Sequence, residues 1–218
     1  MIENYFYEKT GMYIDFEQLI HLPCVDTLID IGVGDIGTPD LYERFPNQKL
    51  ILIDPLEEAR DYAKNNLSCR EYEFFVTAVG SEKTSVMLNV EKQVGRSTIL
   101  QTTEINDEGQ FMEKREINVN TLDNILFNRR DLGRIGIKID TEGYELDVIR
   151  GANNTLKSAK FVIAEVRHNH ESFLGCYKLH EFMESMRLQN FQLTRILTAK
   201  PLIADLVFQS LEDLEFLV

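Results

Sequence analysis

Four apolar runs of the chain are continuous rather than alternating, and each reaches an acidic residue at or near its end. They are Thr27-Leu28-Ile29-Asp30-Ile31, Lys49-Leu50-Ile51-Leu52-Ile53-Asp54, Ile135-Gly136-Ile137-Lys138-Ile139-Asp140 and Phe161-Val162-Ile163-Ala164-Glu165-Val166. Runs of this kind read as strands buried on both faces, as in a parallel sheet. Helical patterns fall between and after them. The spacing predicts helices over 38–45, where Thr38 is an N-cap and Pro39 the first helical residue, and over 56–67, opened by Pro55. Shorter ones follow Thr121 and Glu145, the latter with Leu146, Val148, Ile149 and Leu156 on one face. A last helix spans 177–189, with Leu179, Phe182, Met183 and Met186 inward. A third strand and turn run from Glu73 to Gly80. Thr84–Val90 and Arg115–Asn120 alternate, and the first of these reads as an exposed strand. Phe191–Leu197 and Leu202–Phe208, joined through Lys200-Pro201, read as a hairpin that sets one antiparallel strand in an otherwise parallel sheet. The expected fold is therefore a doubly wound α/β domain with helices on both faces, one domain over 1–218. Residues 1–26 form a lead-in with a short helix at Asp15–Ile20, and Tyr5, Phe6, Tyr7, Met12 and Tyr13 cover a core edge.

The first strand runs into Gly32-Val33-Gly34-Asp35-Ile36-Gly37, a G-x-G-x-x-G spacing that opens a helix. Such a loop lets backbone approach a ligand closely. A dinucleotide would place its pyrophosphate at this loop. Asp30 and Asp35 bracket the loop and would repel that group. S-adenosylmethionine carries a sulfonium and an amino group in place of phosphate, and acidic residues suit both. Asp30 is then the residue that reads the amino group. Asp54, at the tip of the second strand, stands where an adenosine ribose would be gripped, its carboxylate accepting both hydroxyl hydrogens. Thr77, Ala78 and Val79 fall beside the adenine. Capping of a helix by Asp54 is the competing role.

The second half repeats the theme. Asp140, Glu142, Glu165 and His168 are delivered toward one rim, since the carboxyl ends of parallel strands line the ligand crevice. A carboxylate–histidine set there can take a proton from a hydroxyl, with His168 or Asp140 as base. Glu142 borders the substrate, and Arg96 and Ser97, in a loop over 91–110, are placed to contact an acceptor. Lys138 inside its apolar strand needs a partner. A divalent metal is not expected, though Asp140, Glu142 or Glu165 would be its ligands.

The 218 residues carry 44% hydrophobic and 27% charged positions, ordinary for a globular domain. A net charge of −13 argues against general affinity for nucleic acid or anionic membrane. No apolar run reaches spanning length, and no leader pattern is expected. Cys24, Cys69 and Cys176 are scattered and read as reduced, buried thiols of a cytoplasmic protein.

Several of these stretches together resemble one family. Asp30-Ile31-Gly32-Val33-Gly34, Asp54-Pro55, Ala78-Val79-Gly80, Val119-Asn120-Thr121-Leu122-Asp123, Gly151-Ala152 and above all Lys138-Ile139-Asp140-Thr141-Glu142-Gly143-Tyr144-Glu145 are similar to the FkbM-type S-adenosylmethionine-dependent methyltransferases. The resemblance runs from about Thr27 to Val166. It implies a Rossmann-like class I methyltransferase, with a mostly parallel seven-stranded sheet and a C-terminal antiparallel hairpin. It also implies methyl transfer to an oxygen of a small-molecule or glycan acceptor, usually a hydroxyl of a sugar or secondary metabolite. The family's loop usually has Ala-Asn where this chain has Val33-Gly34-Asp35. A nicotinamide-dependent oxidoreductase and a non-catalytic domain of the same fold are the alternatives.

Overall fold

The apolar runs pair side by side. The computed structural model describes residues 19–103, 111–168 and 173–214. Its main sheet is built from β1 (Thr27–Ile31), β2 (Lys49–Asp54), β3 (Tyr72–Val76), β8 (Ile135–Ile139), β9 (Ala159–Arg167), β11 (Phe191–Ala199) and β12 (Ile203–Ser210). The order across the sheet is β11-β12-β9-β8-β1-β2-β3. β12 is antiparallel to both β9 and β11, and the other neighbours pair in parallel. This is the seven-stranded, mostly parallel sheet with a C-terminal antiparallel hairpin expected from the sequence.

Helices cover both faces, and the strand alternation assigns the residues. Leu28, Leu50, Leu52, Phe161, Ile163 and Val207 pack with α1 (Pro39–Arg44) and α2 (Glu57–Asn66) through Leu41, Tyr42, Ala59 and Ala63. Ile29, Ile51, Ile137 and Val162 face the other way, toward α3 (Leu122–Ile125), α4 (Glu145–Arg150) and α5 (Leu179–Leu188). A domain of this size buries enough apolar surface in two such layers to offset its conformational entropy.

Between β3 and β8 the chain departs from the sheet. β4 (Ala78–Val79), β5 (Thr84–Glu91) and β7 (Phe111–Asn120) form a separate three-stranded sheet in the order β4-β7-β5. Thus the strand and turn expected from Glu73 to Gly80 divide at Thr77: the first part edges the main sheet and the second starts the small one. The 91–110 loop is shorter than expected, because Val94–Arg96 make a 3₁₀ turn and β6 (Gln101–Thr102) pairs with β10 (Phe173–Leu174). The predicted helix after Glu145 stops at Gly151, and Leu156 lies on a separate 3₁₀ turn at Thr155–Ser158. Leu179 is exposed, while Phe182 and Met186 are fully buried. α6 (Leu211–Leu214) ends the described chain.

Cys24 and Cys69 are exposed and Cys176 half-buried, which corrects the reading of all three as buried. No helix among the described residues is long and apolar enough to cross a membrane. Most of the Asp15–Ile20 helix, the aromatic groups of the lead-in, His170 and the tail beyond Leu214 lie outside the described residues.

Candidate active site

β1 has β2 on one side and β8 on the other, so the strand order reverses around it. A crevice opens at the carboxyl ends of strands at such a point. Here it is lined by Gly32 and Gly34 after β1, Asp54 ending β2, Thr77, Ala78 and Val79, and Asp140, Thr141 and Tyr144 after β8. Leu56, Leu88, Val94 and Ile99 form an apolar wall, which the three-stranded sheet supports. The cleft holds about 530 Å³ of empty space, open solvent at its mouth included.

Both glycines sit where a side chain has no room. Gly32 has φ +85°, and a Cβ there would stand 1.7 Å from the carbonyl oxygen of Asp140. Gly34 has φ +59°, and its Cβ would meet the Cα of Gly95 at 2.8 Å. The glycine loop therefore packs against the 3₁₀ turn on one side and the end of β8 on the other. Asp54 ties it to β2: Gly34 N–H donates to one carboxylate oxygen at 2.9 Å and Leu56 N–H to the other at 2.8 Å. Each oxygen keeps a second lone pair for a ligand. Burial raises the Asp54 carboxyl to about 6, although these two N–H groups favour its charge.

Asp30 does not reach the cleft. The alternation along β1 turns it to the Leu28 face, where it is fully buried. One oxygen accepts from Tyr42 O–H at 2.5 Å and Thr38 O–H at 3.1 Å, while the other has no hydrogen-bond partner. Burial pushes its pKa up to about 6. Thr38 thus serves Asp30 and makes no side-chain cap at α1.

The Asp140-Thr141-Glu142-Gly143 turn is held from inside by a residue the sequence did not single out. Glu145 is 1% exposed, and one of its oxygens accepts from Thr141 N–H, Thr141 O–H and Gly143 N–H at 3.0–3.1 Å. Its other oxygen accepts from Tyr177 O–H at 2.7 Å. Glu142 adopts φ +52°, a left-handed conformation rare for a side chain with a Cβ. Thr98 O–H donates to its carbonyl at 2.8 Å, and Arg167 pairs with its carboxylate. Arg167 in turn stacks over Phe173 at 4.3 Å, so β10 backs the ion pair.

Register brings further charges beside this turn. Asp30 pairs with Lys138 and Lys138 with Ile163, while Glu165 pairs with Asp205. All therefore share one face of the sheet. Lys138 is fully buried and meets Asp140 at 3.2 Å and Asp205 at 3.6 Å, the partners its position demands. Burial opposes its charge, but Asp140, Asp205, Glu165 and Asp30 hold its pKa above that of a free lysine. Burial raises Glu142 despite Arg167, and Asp140 and Glu145 raise it further. Burial, with Asp140 and Glu142, pushes Glu165 well above the ordinary carboxylate range.

The residues read from the sequence thus divide. Gly32, Gly34, Asp54, Ala78, Val79, Ser97 and Asp140 line one cleft. Glu142 sits beside it, tied to Arg167. Arg96 is exposed outside the lining. His168 is also exposed, its Nε2 2.8 Å from the Lys200 carbonyl, and it borders a different groove along α5. It is the base expectation that the geometry corrects: β9 carries it past the rim, and the hairpin turn engages its ring. Tyr144 and Glu145, inside the Lys138–Glu145 motif, and Arg167, just after the fourth apolar run, were not read as site residues. Their signal was adjacency to Asp140 and Glu165.

Residues 30–193, about three quarters of the chain, match the methyltransferase FkbM domain. No curated protein sequence matches significantly. Similar solved structures include a ribosomal protein L11 methylase from Lactobacillus delbrueckii subsp. bulgaricus, at 13% identity, covering 89% of this chain and 74% of that one, TM-score 0.47. An O-methyltransferase family protein from Burkholderia thailandensis has 11% identity, 89% and 55% coverage and TM-score 0.49. Magnesium protoporphyrin IX methyltransferase from Synechocystis PCC 6803, solved with bound SAM, has 8% identity, 96% and 95% coverage and TM-score 0.47. The family match spans the glycine loop, the Asp54 tip and the Asp140–Glu145 turn that build the cleft, and the chain belongs to the methyltransferase FkbM domain family.

Proposed function

We propose that the chain is an S-adenosylmethionine-dependent O-methyltransferase acting on a hydroxyl of a sugar or other small-molecule acceptor. The observation that carries the reading is the cleft itself. Its glycine loop, the Asp54 carboxylate and the apolar wall meet at one switch point in a chain of the FkbM family. An acidic rim of Asp54 and Asp140 suits a cationic ligand and disfavours a pyrophosphate.

When bound, S-adenosylmethionine supplies an electrophilic methyl group on its sulfonium. Asp54 accepts from the ribose hydroxyls with the lone pairs that Gly34 and Leu56 leave free. Gly32 and Gly34 let the backbone come close, and Thr77, Ala78 and Val79 with Leu88 make the apolar seat for the adenine. Ser97, Asp140 and Tyr144 border the acceptor's side of the cleft. Asp140 takes the hydroxyl proton, since it lines the cleft and His168 does not. Alignment of the two reactants is the main contribution of the protein and can lower the barrier by several kcal/mol. Three free cysteines fit action in the cytoplasm.

Tritium transfer from methyl-labelled S-adenosylmethionine to a panel of hydroxylated sugars and metabolites tests this. Label is expected on oxygen. Asp54→Asn is expected to raise the KM for the cofactor about tenfold or more, the value of a charge-assisted hydrogen bond. Transfer to amine acceptors instead, or a KM unmoved by Asp54→Asn, would contradict the reading.

A further inference from the structure

The turn after β8 gathers more negative charge than the protein's own cations answer. Asp140, Glu142 and Glu165 each bring a carboxylate oxygen within 4.8 Å of the other two. Asp205, the cross-strand neighbour of Glu165, adds a fourth carboxylate. Two cations face them, Lys138 toward Asp140 and Asp205, and Arg167 toward Glu142. With all four acids ionised, the group carries two negative charges in excess.

Glu165 is the member of the cluster without a direct partner among the described residues, although the charge of Lys138 reaches it. It is 8% exposed. Its oxygen is aimed into the cluster, within 4.8 Å of those of Asp140 and Glu142, yet its side chain has no hydrogen bond or ion pair among the described residues. A buried carboxylate without a direct partner either takes up a proton or is met by a counter-charge. Lys138 and Arg167 are both committed to other carboxylates.

We propose that Asp140, Glu142 and Glu165 bind one hard divalent cation of the Mg²⁺, Mn²⁺ or Ca²⁺ class. A single such ion cancels the excess charge. The donor set is carboxylate oxygen alone, without imidazole or thiolate, which selects hard ions over zinc or copper. Oxygens on opposite sides of Ca²⁺ at about 2.4 Å stand about 4.8 Å apart, so the observed spacing accepts that ion directly, and Mg²⁺ or Mn²⁺ requires the carboxylates to draw in by under about 1 Å. Binding of the ion stands on the carboxylates alone. Its use rests on the methyl-transfer reading: beside Asp140 at the cleft, the ion would hold an acceptor hydroxyl and lower its pKa.

The test is an electron paramagnetic resonance titration of the purified chain with Mn²⁺. The expected result is one saturable site per chain, displaced by Mg²⁺ or Ca²⁺, with affinity reduced about tenfold or more in Glu165→Gln. Glu142→Gln, at a less buried position, carries the same expectation should the first variant not fold. No saturable binding by the wild-type chain, or variants that bind as tightly as it does, would overturn the site. S-adenosylmethionine titrated into the same samples separates the two readings. Cofactor binding without Mn²⁺ binding removes the metal and leaves the function, and Mn²⁺ binding without cofactor binding does the reverse.

Discussion

Lys138→Met is expected to lower the stability of the fold by about 3–5 kcal/mol, the range for removing one partner of a buried ion pair. The side chain is 0% exposed and lies between Asp140 at 3.2 Å and Asp205 at 3.6 Å. Asp205 is itself 1% exposed, with one oxygen that has no hydrogen-bond partner, and depends on Lys138 for its counter-charge. Methionine fills a similar volume but leaves these carboxylates, with Asp30 and Glu165 on the same face, without the only cation they share among the described residues. Urea unfolding of the purified variant measures the loss. The double variant Lys138→Met with Asp205→Asn should recover part of it, because the most buried unpaired charge is then gone. A loss below about 1 kcal/mol in Lys138→Met would mean that the ion pair does not organise the turn.

Gly32→Ala carries the second large effect. The loop cannot yield, because neighbouring strands pin it on both sides. Gly32 N–H donates to the Ile53 carbonyl at 2.9 Å, and Asp140 N–H donates to the Ile31 carbonyl at 2.9 Å. A Cβ at 1.7 Å from the Asp140 carbonyl oxygen must therefore push β1 and β8 apart at the mouth of the cleft. Strain at φ +85° adds about 1 kcal/mol to an overpacking penalty of about 1–3 kcal/mol. The total of about 2–4 kcal/mol is readable by urea unfolding. Because Asp140 and Gly32 both line the cleft, cofactor binding should also fall. Unaltered stability and binding would show that the loop has slack the geometry denies.

Much of this architecture is legible in the amino-acid sequence for a simple reason. A strand buried on both faces must be apolar throughout, so the runs ending at Asp54, Asp140 and Glu165 announce themselves, and parallel order puts their ends on one rim. The motif from Lys138 to Glu145 likewise carries its own geometry, because Glu145 satisfies donors only two and four residues away. What depends on distant packing is not legible. Asp30 faces Tyr42 rather than the cleft because β1 alternates, and no local signal says which helix covers that face. His168 follows a strand that delivers acids, yet the turn at Lys200, thirty-odd residues on, decides where its ring points. The split at Thr77 is hidden because a short strand leaving the sheet has the same composition as one staying in it. Lys138 shows both sides. The need for a partner is evident from its apolar neighbours, while Asp205 as that partner follows only from the register of a C-terminal antiparallel strand.

The most direct test of the central claim is calorimetric titration of the purified chain with S-adenosylmethionine and, separately, with NAD. The account predicts saturable binding of one S-adenosylmethionine per chain, weakened in Asp54→Asn, and no comparable binding of NAD. No S-adenosylmethionine binding, or a preference for NAD, would contradict it.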